Sequence, residues 1–441
     1  MVQTTTAAPT TRIGEFSSEK VEALSKSRGE PAWLTQRRVH AWRVFEGSPL
    51  PTTEEIWRKV DLAHLDIDGF TLAPGIAAPA AAPVSEANDG VLYLRDAGVA
   101  ATALDPALAA QGVILTTLQD AVLNHPDLVR PYLESALPAE AGKFDALNAA
   151  LWTGGTFLYV PRGVEAALPL RAISHVTRGG ELVLPRLLLV AEDLSSVALV
   201  EDFESETLDS PSLSIPVAEI IMKPGARFRH VVLQRWGRNF THFAHQRALV
   251  GDNAFLHSLS IGLGARVSKT NMESGLTGRG GSSELLGIFL GDEAQQFDAN
   301  TFQEHIGPDT YSNLLYKAAL RDASSSNYYG VIRIRPTAQR SNAFQADRNL
   351  LLGDRARADS VPVLEIEAND VKCTHGAAIG PVDEEHKFYL TSRAIPPDVA
   401  EQLIVFGFFH EVLDKFPDEV IRKQIDRLVA AKMGVQVEEA E

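Results

Sequence analysis

The stretch from Gly154 to Gly380 most limits what this chain can become. It is a succession of short β-type runs, among them "TFLYVP", "ELVLPRLLLVA", "SSVALVEDF", "VAEIIM", "RFRHVVLQRW", "AFLHSLSIGL", "ELLGIFLG", "NYYGVIRIRP" and "VPVLEIEA". Tight polar turns separate many of them, and long helical periodicity is absent. Gly-Asp-x-Ala recurs at positions 251, 291 and 353, with unequal spacings of 40 and 62. Many strands of similar length with recurring turn chemistry suggest a sandwich, a barrel or a β-solenoid. The length of the region and the lack of Asn-Gly hairpin turns point toward the solenoid. Periodicity alone leaves sandwich and solenoid both open.

The flanks read differently. Residues 1–16 are rich in Thr and Ala and form an expected disordered tail. Residues 17–153 form an N-terminal helical region. "EPAWLTQRRVHAWRVFEG" starts at Pro31 with Leu34, Ala41 and Phe45 at helical spacing, and Gly47 marks its end. Thr52-x-x-Glu55 has the form of a capping box. Residues 73–90 are rich in Ala and Pro and aperiodic, so they are expected to be an irregular linker. Residues 116–137 read as a helix broken near Pro126, and 145–152 as one more short helix. The β core spans 154–380, and 381–441 forms a C-terminal helical domain of three helices. In the second of these, Leu403, Ile404, Val405, Phe406, Phe408, Phe409, Val412 and Leu413 cover more than one face. Such a helix is either buried all round or meets a partner.

Composition excludes some function classes. The chain has 441 residues, 41 Lys plus Arg against 57 Asp plus Glu, and a net charge of −16. That balance argues against nucleic acid, which needs clustered cations. A single cysteine cannot form an internal disulfide, so nothing implies secretion. The N-terminus lacks the apolar core of a signal peptide. "LIVFGFF" at 403–409 is too short to span a bilayer. A cytoplasmic protein without a membrane partner is expected.

Common catalytic motifs are missing from the sequence. There is no Gly-x-x-x-x-Gly-Lys-Ser/Thr, His-Glu-x-x-His or Gly-x-Ser-x-Gly. "GLTGRGGSS" (275–283) lacks the phosphate-loop lysine and reads as a turn. His242 and His245 are three apart on an expected strand, so they face opposite ways, which argues against a shared metal and for packed or exposed histidines. What remains is "DVKCTHGAAIG" (370–380), with the lone Cys373 and His375. Residues two apart on a strand share a face, with Cα atoms about 6.6 Å apart. A nucleophile and its base need contact at about 3 Å, so the spacing disfavours a dyad. It suits two ligands flanking a metal or cluster. Clusters commonly take about four ligands, so the others would come from elsewhere, for instance a second chain. Equally, Cys373 can be a small buried hydrophobe and His375 a hydrogen-bonded strand residue, with Val371 on the same face.

"DVKCTHGAAIGPVDEEHKFYLTSRAI" (370–395) resembles the C-terminal signature of the SufB/SufD family of iron–sulfur cluster assembly proteins. Cys-x-His-Gly-Ala matches the SufD branch; the SufB branch usually reads Glu-His-Glu-Ala and carries further cysteines upstream. Residues 30–62 and "FDALNAALWTGGTFLYVPRGVEAALPL" (144–170) are similar to the family's helical entry and to the start of its core. The resemblance covers nearly the whole chain. It implies a mainly β fold: a right-handed parallel β-helix core flanked by N-terminal and C-terminal helical regions. It implies pairing with a SufB-like subunit through the β-helix, and a SufC-like ATPase on the C-terminal domain. On this resemblance the chain is a non-catalytic scaffold subunit with no ATP site of its own. His375, with Cys373 as companion, would hold a nascent iron–sulfur cluster shared with the partner. Leu403, Phe406, Phe409, Val412 and Leu413 become candidates for docking the ATPase. Isolated copies could pair as a homodimer through the same surface. Two rival classes make different demands: a carbohydrate-active β-helix enzyme needs a groove of catalytic acids or bases, and a Cys–His hydrolase needs a thiol of low pKa.

Overall fold

The computed structural model describes residues 12–75, 77–84 and 86–434. Its core is a parallel β-solenoid of about eight turns, with helices toward both ends of the chain. The chain alternates between two sheets. Phe240–Val250, Val267–Leu276, Gln296–His305, Ser325–Ile334 and Arg357–Ile366 are successive neighbours in a 12-stranded sheet. Phe255–Gly262, Ser282–Gly291, Tyr311–Leu320, Ser341–Leu351 and Val371–Pro381 are successive neighbours in a 10-stranded sheet. Phe255 pairs with Ser282, Ser282 with Tyr311, Tyr311 with Asn342 and Asn342 with Lys372, a repeat of 27–31 residues. Each turn therefore adds one parallel strand to each sheet. The solenoid reading is borne out and the sandwich is not.

Local chemistry explains the turns. All three Gly-Asp-x-Ala tetrapeptides lie at or beside solenoid corners. Asn253 and Glu293 adopt φ of 52° and 51° there, while Ala254 and Ala356 point into the core. The glycine-rich "GLTGRGGSS" runs from a strand end through another corner. A Cβ on Gly278 would collide with the backbone of Gly251 and Asp252 in the turn below, so only glycine permits that approach.

Helices cover part of each sheet's outer face, and the strands beneath them are buried on both sides. Arg186–Ala191 is buried at every residue. The N-terminal helices α1 (Ser18–Ser27), α2 (Ala32–Gly47), α3 (Pro106–Ala110), α4 (Leu118–Asn124), α5 (Pro126–Val129) and α6 (Lys143–Leu151) precede the main run of strands. Leu34 and Trp42 of α2 and Leu147 of α6 share a core with Leu188, Val190 and Phe243 of the larger sheet. Arg186 Nη1 ties the sheet to α6 by donating to Asn148 Oδ1 at 3.1 Å, and a buried ion pair lies on each side of the contact: Arg38 Nε donates to Glu30 at 2.7 Å, and Arg186 Nη2 to Glu219 at 2.7 Å. The C-terminal helices are α7 (Glu384–Ser392), α8 (Pro397–Leu413) and α9 (Glu419–Lys432). Val405, Phe409, Val412, Ile421 and Ile425 from α8 and α9 pack on Val231, Leu259, Ile288 and Leu315 of the smaller sheet.

Several boundaries differ from expectation. Residues 1–11 of the expected tail lie outside the described residues, but 12–16 are ordered. Ile13 is buried, and its N–H donates to the Phe70 carbonyl at 2.9 Å. The N-terminal region is not purely helical: Gly90–Arg95, Gly98–Leu104 and Ile114–Thr117 are strands that extend the two sheets backward. Thr52 and Glu55 form no capping box. Only a three-residue 3-10 turn, Glu55–Trp57, follows, and no side chain caps it. Within the linker expected at 73–90, the described residues carry no helix or strand until Gly90, which opens the strand Gly90–Arg95.

Candidate functional site

Cys373 and His375 lie on Val371–Pro381, the last strand of the smaller sheet. Arg357–Ile366 is the last strand of the larger one. Among the described residues nothing pairs with the outer edges of these two strands, so the solenoid ends in an open coil. The contrast with the interior is sharp. No residue of Val371–Pro381 is fully buried, and Val361, Ile366 and Ile379 are more than two-fifths exposed. Open apolar strand edges of this length are templates for another chain.

Register fixes which way the pair faces. Ser341–Leu351 alternates buried and accessible residues through Asn349, with Ser341, Ala343, Gln345, Asp347 and Asn349 inward. Cys373 pairs with Ala343 and His375 with Gln345, so both lie over the inward face of the previous turn. The column beneath His375 runs through Gln345, Leu314, Leu285, Ser258 and His230. Cys373 is half-buried against Ile332, Ile334, Ala343 and Ala368. Burial pushes its thiol above the ordinary range. A thiol held protonated is a poor nucleophile, which weighs against the Cys–His hydrolase. His375 is exposed. Among the described residues no group of three or more His, Cys, Asp and Glu side chains could hold a metal ion. One strand below, Asp347 is buried in the solenoid interior. Desolvation pushes its carboxyl up to about 6, and Asn349 Nδ2 donates to it at 2.6 Å.

The two other histidines singled out in the sequence separate as the strand spacing predicts. His242 is buried and accepts the Trp236 indole N–H at 3.0 Å. Burial drives its pKa down to about 3. His245 emerges on the opposite face between Asp145 of α6 (2.7 Å) and Glu273 (3.1 Å). Burial opposes its charge, but the two carboxylates win and hold its pKa up at about 10. The sequence offers no sign of this bridge, because its two acids lie 100 positions before and 28 after.

The apolar helix α8 requires a correction. Phe409, Val412 and Leu413, expected to dock a partner, are 0–2% exposed and form the intramolecular core against the sheet. Phe406 is partly buried against the same core. Leu403 alone of the five is well exposed, at 48%. The larger accessible apolar groups are Phe388 and Tyr389 of α7, 73% and 56% exposed, which helical patterning did not single out. No helix among the described residues is long and apolar enough to cross a membrane.

Comparison with known proteins agrees with this layout. The profile of the SUF system FeS cluster assembly SufBD core domain matches residues 174–408, and that of the SufBD protein N-terminal region matches 89–172. The iron–sulfur cluster assembly protein SufD of Bacillus subtilis is 28% identical, with 94% of this chain aligned to 97% of its length. SufB of the same organism is 26% identical over 95% of this chain and 93% of its own length. A SufBD family protein of Staphylococcus epidermidis is 27% identical over 96% and 95%. Because the core profile alone spans more than half of the sequence and coincides with the solenoid, this chain belongs to the SufBD family of the SUF iron–sulfur cluster assembly system.

Proposed function

We propose that this protein is a SufD-like scaffold subunit of a SUF-type assembly complex. The observation that carries this reading is the placement of Cys373 and His375 on the unpaired terminal strand of the solenoid. Two ligands at an open edge form half a site, and a second chain pairing there supplies the rest. A SufB-like subunit is the proposed partner, and a nascent iron–sulfur cluster, held between the chains and passed on, is the proposed cargo. His375 is exposed at the edge and serves as the ligand; Cys373 lines the same face. The Cys-x-His-Gly-Ala tail favours the SufD over the SufB branch.

The subunit itself is proposed to be non-catalytic, with ATP hydrolysis in a SufC-like partner. That partner would dock on the C-terminal helices through Phe388, Tyr389 and Leu403, the most exposed large apolar groups there. The complex would act in the cytoplasm, and isolated chains would pair with themselves through the same open coil.

Co-expression with SufB-like and SufC-like partners tests the reading. One stable assembly is expected, and Val361→Asp with Ile379→Asp should release the SufB-like chain without lowering the melting temperature. Recovery of this chain alone, or retention of the partner by the double variant, would sink the proposal.

A further inference from the structure

Trp152 and Thr153 follow α6, and each carries a buried polar atom with no hydrogen-bond partner, the indole Nε1 and the hydroxyl Oγ1. The two residues are only 1% and 4% exposed. Buried polar groups are normally satisfied, and an indole nitrogen can only donate. Both residues line a cavity of about 360 Å³ between the end of α1, the hairpin turn at Ala97 and the start of α4. Arg28, Thr117, Gln119 and Asp120 line the same cavity. Arg28 adds a charge that is poorly matched. Its Nη1 donates to the Trp152 carbonyl at 3.2 Å. Glu30 supports its charge from nearby, but Arg38 already holds both oxygens of Glu30, at 2.7 and 2.9 Å. Burial, with the Arg38 guanidinium close by, pulls the Arg28 pKa down to about 10, which still leaves it charged at neutral pH. Two of the other polar groups are committed: the Thr117 hydroxyl donates to Asp120 at 2.7 Å, and Gln119 Nε2 to the Arg28 carbonyl at 3.5 Å. What is left in the walls is chiefly donors, beside a cation that lacks a carboxylate of its own.

We propose that Arg28, Trp152 Nε1 and Thr153 Oγ1 bind the carboxylate of a small organic acid in this cavity. A guanidinium matches a carboxylate in shape and charge, and the N–H and O–H donors add to it. Asp120 places a negative charge in the same wall, so an acid carrying one charge fits better than a phosphate dianion. Pro74 and Val99 offer an apolar wall to the rest of the molecule, and Val99 is 42% exposed, so the cavity opens to solvent there. The volume lies at the small end of the range for ligand pockets. The site is also remote from Cys373 and His375 in the topology. Thr117 belongs to Ile114–Thr117, at the other end of the larger sheet from Arg357–Ile366. Acid binding here therefore stands or falls independently of the function proposed above.

The test uses full-length protein labelled with ¹⁵N-tryptophan. Its five tryptophans give five indole resonances, and Trp152→Phe identifies the one from Trp152. Acetate, benzoate and phenyl phosphate are titrated in turn. The carboxylates should move the Trp152 resonance downfield and saturate, with phenyl phosphate binding more weakly. Arg28→Gln should weaken carboxylate binding at least about tenfold, because it removes the charged donor. Thr153→Val keeps the side-chain shape and should weaken it by about fivefold while leaving the melting temperature the same or higher. Should Arg28→Gln fail to fold, Thr153→Val carries the comparison. No saturable shift with either carboxylate, a shift that neither substitution weakens, or tighter binding of phenyl phosphate than of benzoate overturns the proposal.

Discussion

His245 provides the sharpest test of how the N-terminal helices are held to the solenoid. Its ring joins Asp145 on α6 to Glu273 on the larger sheet, and Glu273 also pairs with Arg247. The imidazole is 12% exposed and its pKa stands at about 10, against about 6.5 for a free histidine. A base whose pKa rises on folding adds stability in its charged form. That stability is fully present below about pH 6.5 and is lost as pH rises through about 10. The interval of about 3.5 units corresponds to about 5 kcal/mol, or about 1.4 kcal/mol for each unit climbed. His245→Gln keeps some hydrogen bonding but cannot carry the charge. Denaturant unfolding of both proteins from pH 6.5 to 9.5 should show a gap that is widest at pH 6.5 and narrows by about 1.4 kcal/mol per unit. Protection of the α6 amides, corrected for the base-catalysed intrinsic exchange rate, should fall over the same range in the unsubstituted protein only. A gap that stays constant with pH would refute the charged bridge and leave His245 as a packing residue.

Other perturbations separate the fold from the docking surfaces. Phe409→Ala removes the buried anchor of α8 and should cost about 3–5 kcal/mol, read as a lower melting temperature and faster amide exchange across α8 and α9. Phe388→Ala and Tyr389→Ala change exposed rings and should leave stability within about 0.5 kcal/mol while reducing capture of the proposed SufC-like partner. At Gly330 a Cβ would fall on the Tyr328 hydroxyl and the Gln345 amide, so Gly330→Ala should destabilise by about 1–3 kcal/mol in thermal melts.

The architecture was legible where it is local. Short strands, corner tetrapeptides and helix termini such as Pro31 and Pro126 reflect backbone preferences carried by neighbouring residues. The resemblance, rather than periodicity, separated solenoid from sandwich, because the two share the same strand pattern. What escaped depends on contacts distant in sequence. The all-round apolar pattern of α8 allows burial, but no spacing rule shows which face meets the sheet, so the inward positions of Phe409, Val412 and Leu413 do not follow from the pattern. The Thr52 capping box failed because the chain there makes a single 3-10 turn, leading to Trp57, which packs against Phe144 and Phe243. Cys373 and His375 were visible as a pair. Their position on an open edge, and Asp347 beneath them, emerged only once the register of the last two turns was known.

The most direct measurement of the central claim is iron per assembly in complexes recovered anaerobically with the SufB-like and SufC-like partners. The account predicts that His375→Ala yields complexes of normal mass and stability with markedly less cluster iron, and that Cys373→Ser has the smaller effect. Full cluster iron in the His375→Ala assembly would contradict it.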